Sequence, residues 1–226
     1  MKKTILIATI LIIAVSGFVF TENLFLNGNS NEIIETSEVK NEEPASCCSG
    51  EEMEKSEMVY SDNSIYQINS DWKNQFGNAV NIGELSGKTQ IVALIFANCT
   101  YACPLIVNDM RNIEKNLTDD ELQKVQFTLI SIDPERDTPE KLKEFALSQN
   151  LNLSRWQLLT GKRTDIDDFA ALIGFRYKKE NDGSFSHSNL INIFNEKGEL
   201  FHQHQGLNQE ISNTILSIKK CINTEV

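Results

Sequence analysis

Two cysteines spaced four residues apart, Cys99 and Cys103, are the residues of this chain best suited to chemistry. They follow an apolar run at 90–97 and precede apolar residues at helical spacing, which places them where a buried strand ends and a helix begins. Unpaired N–H groups and the helix dipole lower thiol pKa values at such a position. Thiolates suit Cu(I) and also carry out disulfide exchange. A purely stabilising disulfide is the structural alternative.

A second pair of cysteines lies in an acidic segment near the N-terminus. Cys47 and Cys48 are adjacent, and Met53 and Met58 follow them closely. These soft ligands could capture copper before it passes to the main pair. Adjacent cysteines in a flexible segment can equally be incidental.

His202, His204 and Cys221 each have a plain structural interpretation. The two histidines alternate on a predicted strand, so their side chains share one face and could bind a metal weakly. Exposed polar residues on a half-buried strand are the favoured interpretation. Cys221 stands alone on the last predicted helix, where a small buried apolar residue is the expected role.

The remaining patterns predict the elements that position these residues. Runs at 90–97, 125–132 and 156–159 predict strands followed by helices, and runs at 189–194 and 200–205 predict a hairpin before a final helix. Pro104 suits the first helical turn after the cysteines, Thr138-Pro139 predicts a helix start, and Thr164 is expected to cap a helix that stops at Gly174. The predicted fold class is α/β, with the element order of a thioredoxin-like domain.

Three motifs in a fixed order give a specific resemblance to a known family. They are Cys99-Thr-Tyr-Ala-Cys-Pro104, Asp133-Pro-Glu-Arg-Asp-Thr-Pro139 and Ser186-His187-Ser188. Over residues 64–222 they resemble the SCO/SenC family. The resemblance implies copper, as Cu(I) and/or Cu(II), bound by Cys99, Cys103 and His187. It also implies a role in assembling the copper centre of cytochrome c oxidase, with the copper-bearing subunit or another copper acceptor as partner.

The middle motif leaves two interpretations open. Asp133 or Asp137 could lie near the metal and tune it without binding it. A loop followed by a helix cap explains the same residues, and this mainly structural interpretation is favoured.

Charge is distributed unevenly along the chain, whose formal net charge is -11. Residues 22–62 carry eleven acidic residues against Lys40 and Lys55, a net charge of -9. Because this acidic segment shows no periodicity, a disordered tether is expected over 22–63, followed by a thioredoxin-like copper-binding domain over 64–226. The acidity argues against a nucleic-acid partner.

The N-terminus predicts a targeting segment. Lys2 and Lys3 precede an uncharged, mainly apolar run that ends at Thr21. A retained membrane anchor over residues 1–21 is favoured over a cleaved signal. With the lysines inside, the chain is expected at a bacterial inner membrane, with its domain facing the periplasm or the cell exterior.

Several functions fit the cysteine pair. A copper metallochaperone is favoured, and such a protein is not an enzyme in the usual sense. The alternative is a thiol-disulfide oxidoreductase that reduces the cysteines of a copper-protein partner. No proline lies near His187, where oxidoreductases of the thioredoxin fold place a cis-proline, and a peroxiredoxin's Thr-x-x-Cys is absent before Cys99. A copper sensor or a copper buffer would show the same sequence features as a copper donor.

Overall fold

The computed structural model describes residues 60–68 and 70–224. In these residues the elements run in the order β1 (Asp71–Asn74), β2 (Ala79–Asn81), β3 (Thr89–Ile95), α1 (Ala102–Lys115), α2 (Asp119–Gln123), β4 (Val125–Ser131), α3 (Pro139–Ser148), β5 (Trp156–Gly161), α4 (Arg163–Leu172), β6 (Tyr177–Lys179), β7 (Phe185–His187), β8 (Leu190–Phe194), β9 (Leu200–Gln205) and α5 (Ser212–Asn223). The predicted anchor and nearly all of the predicted tether lie outside the described residues. Within them, no helix is long and apolar enough to span a membrane.

Seven strands form one sheet in the order β2-β1-β5-β4-β3-β8-β9. The central strands β3, β4 and β5 are parallel, with Ile91 opposite Phe127 and Phe127 opposite Trp156. Strand β8 pairs antiparallel with β3, and β9 pairs antiparallel with β8. The predicted α/β sheet with a late antiparallel pair is therefore confirmed.

The core lies on both faces of the central strands. All seven residues of β3 are buried, which requires cover on both sides of the sheet. The rings of Phe127 and Trp156 stack with centroids 4.8 Å apart, and Trp72 meets Phe169 edge to face. This packing belongs to the one close-packed core that surrounds β3, the strand that leads to the cysteines.

The predicted helix starts were correct for α1, where Pro104 lies in the first turn, and for α3, but wrong for α4. Thr138 Oγ1 accepts a hydrogen bond from the Lys141 N–H at the start of α3, and Pro139 occupies the first turn, as expected. At α4 the cap residue is Lys162 rather than Thr164, which lies inside the helix. Lys162 makes no side-chain capping bond, so no capping pattern marked this start.

Two strand pairs had no counterpart in the predicted elements. The hairpin β1–β2 adds to the sheet beside β5, and β6–β7 forms a separate two-stranded sheet. Each of these strands is three or four residues long, which is too short for a clear alternation of apolar residues. The second pair matters for the site, because it carries His187.

Candidate metal centre

Cys99 and Cys103 lie at the junction between β3 and α1, as the sequence predicted. The backbone N–H of Cys103 donates to Cys99 Sγ over 3.3 Å, and the N–H of Phe96 donates to Cys103 Sγ over 3.4 Å. Cys99 is partly exposed, whereas Cys103 is fully buried at the start of the helix. Each sulfur therefore accepts a backbone hydrogen bond that favours its thiolate form.

The two thiols are strongly unequal in the absence of metal. A hydrogen bond from the Cys103 thiol is the largest cause that lowers the pKa of Cys99 to about 3, and His187 contributes in the same direction. The same hydrogen bond, together with burial, raises the pKa of Cys103 well above its ordinary value. At neutral pH the pair therefore holds one thiolate at Cys99 and one thiol at Cys103.

His187 is oriented by its own neighbour in the chain. Its Nδ1 lies 2.7 Å from the carbonyl oxygen of Ser188. Since a carbonyl oxygen can only accept, Nδ1 carries a hydrogen, and in the neutral imidazole Nε2 then holds the lone pair that a metal needs. The ring of Phe175 stacks on the imidazole, and Phe96 meets it edge to face, both at 5.9 Å between centroids.

The pKa of His187 reflects opposing influences. Burial is the largest single effect and lowers it. The hydrogen bond to Cys99, the hydrogen bond to the Ser188 carbonyl and the thiolate charge together outweigh burial, so the pKa is raised. The protonated ring, which carries a hydrogen on both nitrogens, thus stabilises the Cys99 thiolate when no metal is bound.

The structure brings the three predicted ligands together. One ligand atom each from Cys99, Cys103 and His187 lies within 4.8 Å of the other two, and no other group of three such residues occurs in the part of the chain described. Since Cys and His ligands bind metals at about 2.0–2.3 Å, three donor atoms this close together can be offered to a single ion. Two thiolates and an imidazole suit copper. Copper ligation by these residues stays a prediction.

Asp137 links the middle motif to the cysteine junction. Its Oδ2 accepts hydrogen bonds from the Ala97 N–H over 2.9 Å and from Ser131 Oγ over 2.5 Å, and the residue is fully buried. Burial is the main cause that raises its pKa, and its negative charge contributes to raising the pKa of Cys103. Asp137 therefore fixes the backbone just before Cys99 and acts on the site electrostatically, so the motif does more than cap a helix.

His202 and His204 are not the exposed residues that the favoured interpretation expected. His204 is buried and His202 half-buried, because α5 covers this face of β9. Thr214 on α5 lies 3.2 Å from His202 Nε2 and 3.0 Å from His204 Nδ1. Since one hydroxyl serves both rings, these histidines tie α5 to the sheet.

The third cysteine of the described residues, Cys221, stands apart from the site. Cys221 is buried on α5, as expected, and its Sγ lies 3.5 Å from Thr89 Oγ1. Cys47, Cys48, Met53 and Met58 lie outside the described residues.

Sequence reasoning missed the aromatic residues around His187. Phe96, Phe175 and Phe185 form its walls, with Phe185 packed on Phe96 at 5.2 Å between centroids. Phe96 comes from a segment remote in sequence, so no local spacing connects it to His187. Phe185 and Phe175 precede the histidine motif closely, but either residue would serve a core position equally well.

Comparison with known proteins gives a consistent result. The sequence model of the SCO1/SenC family matches residues 62–223. The SCO1 protein homolog of Bacillus subtilis is 29% identical over 157 residues, which cover 68% of this chain and 80% of that protein.

Solved structures agree with the fold. BsSco, described as a Sco-family cytochrome c oxidase assembly protein with a disulfide switch, superposes with a TM-score of 0.60 at 27% identity, covering 69% of this chain and 92% of that one. Bradyrhizobium japonicum ScoI, solved with copper bound, gives a TM-score of 0.57 at 22% identity, covering 67% and 96%. The predicted thioredoxin-like fold is confirmed.

Proposed function

This chain belongs to the SCO1/SenC family, and we propose that it is a copper metallochaperone that helps to assemble the copper centre of cytochrome c oxidase. Copper is its cargo, held by Cys99, Cys103 and His187. The observation that carries the proposal is the approach of these three ligand atoms to within 4.8 Å of one another. Two sulfurs suit Cu(I), and the imidazole adds the nitrogen that Cu(II) prefers.

The accessibility of the site fits delivery to a partner. Cys99 is partly exposed, and the neighbouring Tyr101 is 74% exposed, whereas Cys103 is buried beneath them. A partner's thiolate can therefore reach the metal from the Cys99 side while Cys103 still holds it. We propose the copper-bearing subunit of cytochrome c oxidase, or another copper acceptor, as that partner.

The proposed location follows from the sequence. Residues 1–21 anchor the chain in the bacterial inner membrane, and residues 22–63 act as a tether. The domain that follows faces the periplasm or the cell exterior. Membrane fractionation tests this arrangement, and recovery of the full-length protein in the soluble periplasmic fraction would contradict a retained anchor.

The unequal thiols favour one alternative, a thiol-disulfide reductase acting on a copper-protein partner. The Cys99 thiolate attacks the partner's disulfide, forms a mixed disulfide and expels one partner thiolate. Cys103 then loses its proton and attacks Cys99 Sγ, which expels the second partner thiolate and leaves a disulfide between Cys99 and Cys103. The partner gains two electrons, and this chain loses two.

A transfer experiment separates the two functions. Purified full-length protein loaded with Cu(I) is mixed with the metal-free, reduced copper-bearing subunit, and the two are separated and assayed for copper. A donor transfers the metal to the subunit, whereas a reductase leaves it in place. In the second arm, the metal-free dithiol form is mixed with the oxidised subunit, and thiols are counted. If the second arm shows reduction of the subunit's disulfide and the first arm shows no copper transfer, the reductase is the better account.

A further inference from the structure

The hairpin that carries His187 lies outside the main sheet. Strands β6 and β7 pair only with each other in the described residues, and His187 is the last residue of β7. The base of the hairpin is fixed, because the Ser188 N–H donates to the Arg176 carbonyl and β8 begins two residues later. In the described residues, the backbone hydrogen bonds at the tip are made within the turn itself. The position of the tip therefore depends on side chains from the body of the domain.

Arg136 contacts the tip of this hairpin at two points. Its Nη2 donates a hydrogen bond to the Gly183 carbonyl in the turn, and its guanidinium carbon lies 5.9 Å from the centre of the Phe185 ring. Gly183 has a φ of +79°, and a Cβ there would lie 3.3 Å from Arg136 Nη1. The turn is therefore shaped for a close approach of the guanidinium.

Asp133 fixes the direction of the Arg136 side chain. Its carboxylate is fully buried at the end of β4 and pairs through Oδ2 with Arg136 Nε. The Asp133 N–H donates to Ser131 Oγ, and its carbonyl accepts from the backbone N–H groups of Arg136 and Asp137. A buried carboxylate needs its cation, so Asp133 holds the guanidinium in place beside the hairpin.

The contact continues from the tip to both halves of the metal site. Phe185 packs against Phe96, and Phe96 meets the His187 ring edge to face. The N–H of Phe96 also donates to Cys103 Sγ. A shift of the Phe185 ring therefore moves the imidazole relative to the sulfurs.

We infer that Arg136, anchored by Asp133, is a positioning residue that holds the hairpin tip so that His187 stays within reach of both cysteine sulfurs. This inference rests on the copper site proposed above. Arg136 touches no metal itself. Its contribution is to keep the nitrogen ligand in place before copper arrives, which reduces the rearrangement that binding requires.

The chain offers a matched control on the same hairpin. Lys179 on β6 forms an ion pair with Glu135 over 2.5 Å, and the two side chains are 42% and 65% exposed. Exposed ion pairs contribute little, because solvent screens them. Lys179→Gln thus removes a hairpin-to-body contact adjacent to Arg136 without disturbing a buried charge.

The test compares Cu(II) binding by the full-length wild-type protein with binding by four separate variants. They are Arg136→Lys, the double variant Asp133→Asn with Arg136→Gln, Lys179→Gln and His187→Ala. Lysine keeps the positive charge but cannot bond to Asp133 and Gly183 together. The double change removes both charges, so no unpaired carboxylate is left buried. We expect Cu(II) affinity to fall about tenfold or more in both Arg136 variants and less than about twofold in Lys179→Gln.

Electron paramagnetic resonance supplies a readout that a general loss of stability does not move. Nitrogen hyperfine coupling from the imidazole should weaken or become heterogeneous in the Arg136 variants and stay unchanged in Lys179→Gln. Circular dichroism of the metal-free proteins verifies folding, and if Arg136→Lys fails to fold, the charge-neutral double variant decides. Wild-type affinity and coupling in the folded Arg136 variants would overturn the inference. Wild-type behaviour of His187→Ala would overturn the proposed ligand set instead.

Discussion

Cys103 donates its backbone N–H to the sulfur of Cys99 over 3.3 Å while its own thiol is completely buried. Its thiol hydrogen bonds to the same sulfur, and this bond lowers the pKa of Cys99 and raises that of Cys103. The fold thus assigns different protonation states to two chemically identical side chains. The exposed sulfur is the reactive one.

This asymmetry predicts an unusual pH dependence of alkylation. With a pKa of about 3, Cys99 is a thiolate throughout pH 5 to 8, so its reaction rate with iodoacetamide should stay nearly constant there. An ordinary thiol, with a pKa near 8.5, slows about tenfold for each unit of pH below that value. Mass spectrometry of the reduced, metal-free protein measures the rate, with glutathione as control. A tenfold fall per unit at Cys99 would contradict the prediction.

The ligand set predicts which cysteines copper needs. Cys99→Ser or Cys103→Ser should lower copper affinity by more than the roughly 10- to 100-fold that a change outside the ligand set costs, because a soft thiolate is lost. Cys221→Ser serves as control, since Cys221 lies on α5 against Thr89 and outside the ligand group. Competition titration with a Cu(I) chelator measures the affinities. Stoichiometric, full-affinity copper in either active-pair variant would show that the site is wrong.

His187→Ala should separate metal delivery from thiol chemistry. Disulfide exchange needs an attacking and a leaving thiolate, both supplied by the cysteines, whereas copper loses its nitrogen ligand. Copper affinity should fall, most of all for Cu(II), while the cysteines still cycle between dithiol and disulfide. Oxidase assembly in cells is the second readout. Normal assembly with His187→Ala, alongside failure with Cys99→Ser, would favour the reductase.

The predicted tether should be dispensable for the main site. A variant lacking residues 22–56 should bind one copper per chain, because the proposed ligands lie in the folded domain. Copper and protein are quantified together after gel filtration. A fall from a higher stoichiometry to one would indicate an auxiliary site at Cys47 and Cys48. Loss of all copper would place them in the main site.

Asp137 should matter for stability as well as for the site. Asp137→Ala leaves the Ala97 N–H and the Ser131 hydroxyl without their buried acceptor, which should lower the free energy of unfolding by about 2–4 kcal/mol. Asp168→Ala, at an exposed position on α4, should change it by less than about 0.5 kcal/mol. Urea unfolding of the metal-free proteins measures both. Equal, small effects would show that the Asp137 hydrogen bonds contribute little.

The sequence predicted the parts of the site that depend on long, regular elements. The continuous apolar run before Cys99 and the helical spacing after Cys103 placed both thiols at a strand-to-helix junction, and the structure confirms it. The position of His187 beside them came from resemblance to a family. Its strand has three residues, and its distance from the cysteines is set by contacts between segments remote in sequence.

The charged motif shows a different limit of sequence reasoning. Thr138 and Pro139 were read correctly, because helix caps follow local rules. The contacts of Arg136 and Asp137 could not be predicted, because their partners are remote in sequence. Arg136 contacts the hairpin, and Asp137 contacts the backbone before the cysteines. The same applies to His204, whose burial depends on where α5 docks rather than on the alternation along β9.

Copper bound by Cys99, Cys103 and His187 would also crosslink two segments that are remote in sequence, much as a disulfide does. A metal that binds the folded state and not the unfolded one adds to the free energy of unfolding, by about 2.7 kcal/mol when its free concentration is 100 times the dissociation constant. Loaded molecules should therefore open less often and survive proteases longer than empty ones. Selective removal of empty copies would let the cell enrich the pool of protein that carries cargo.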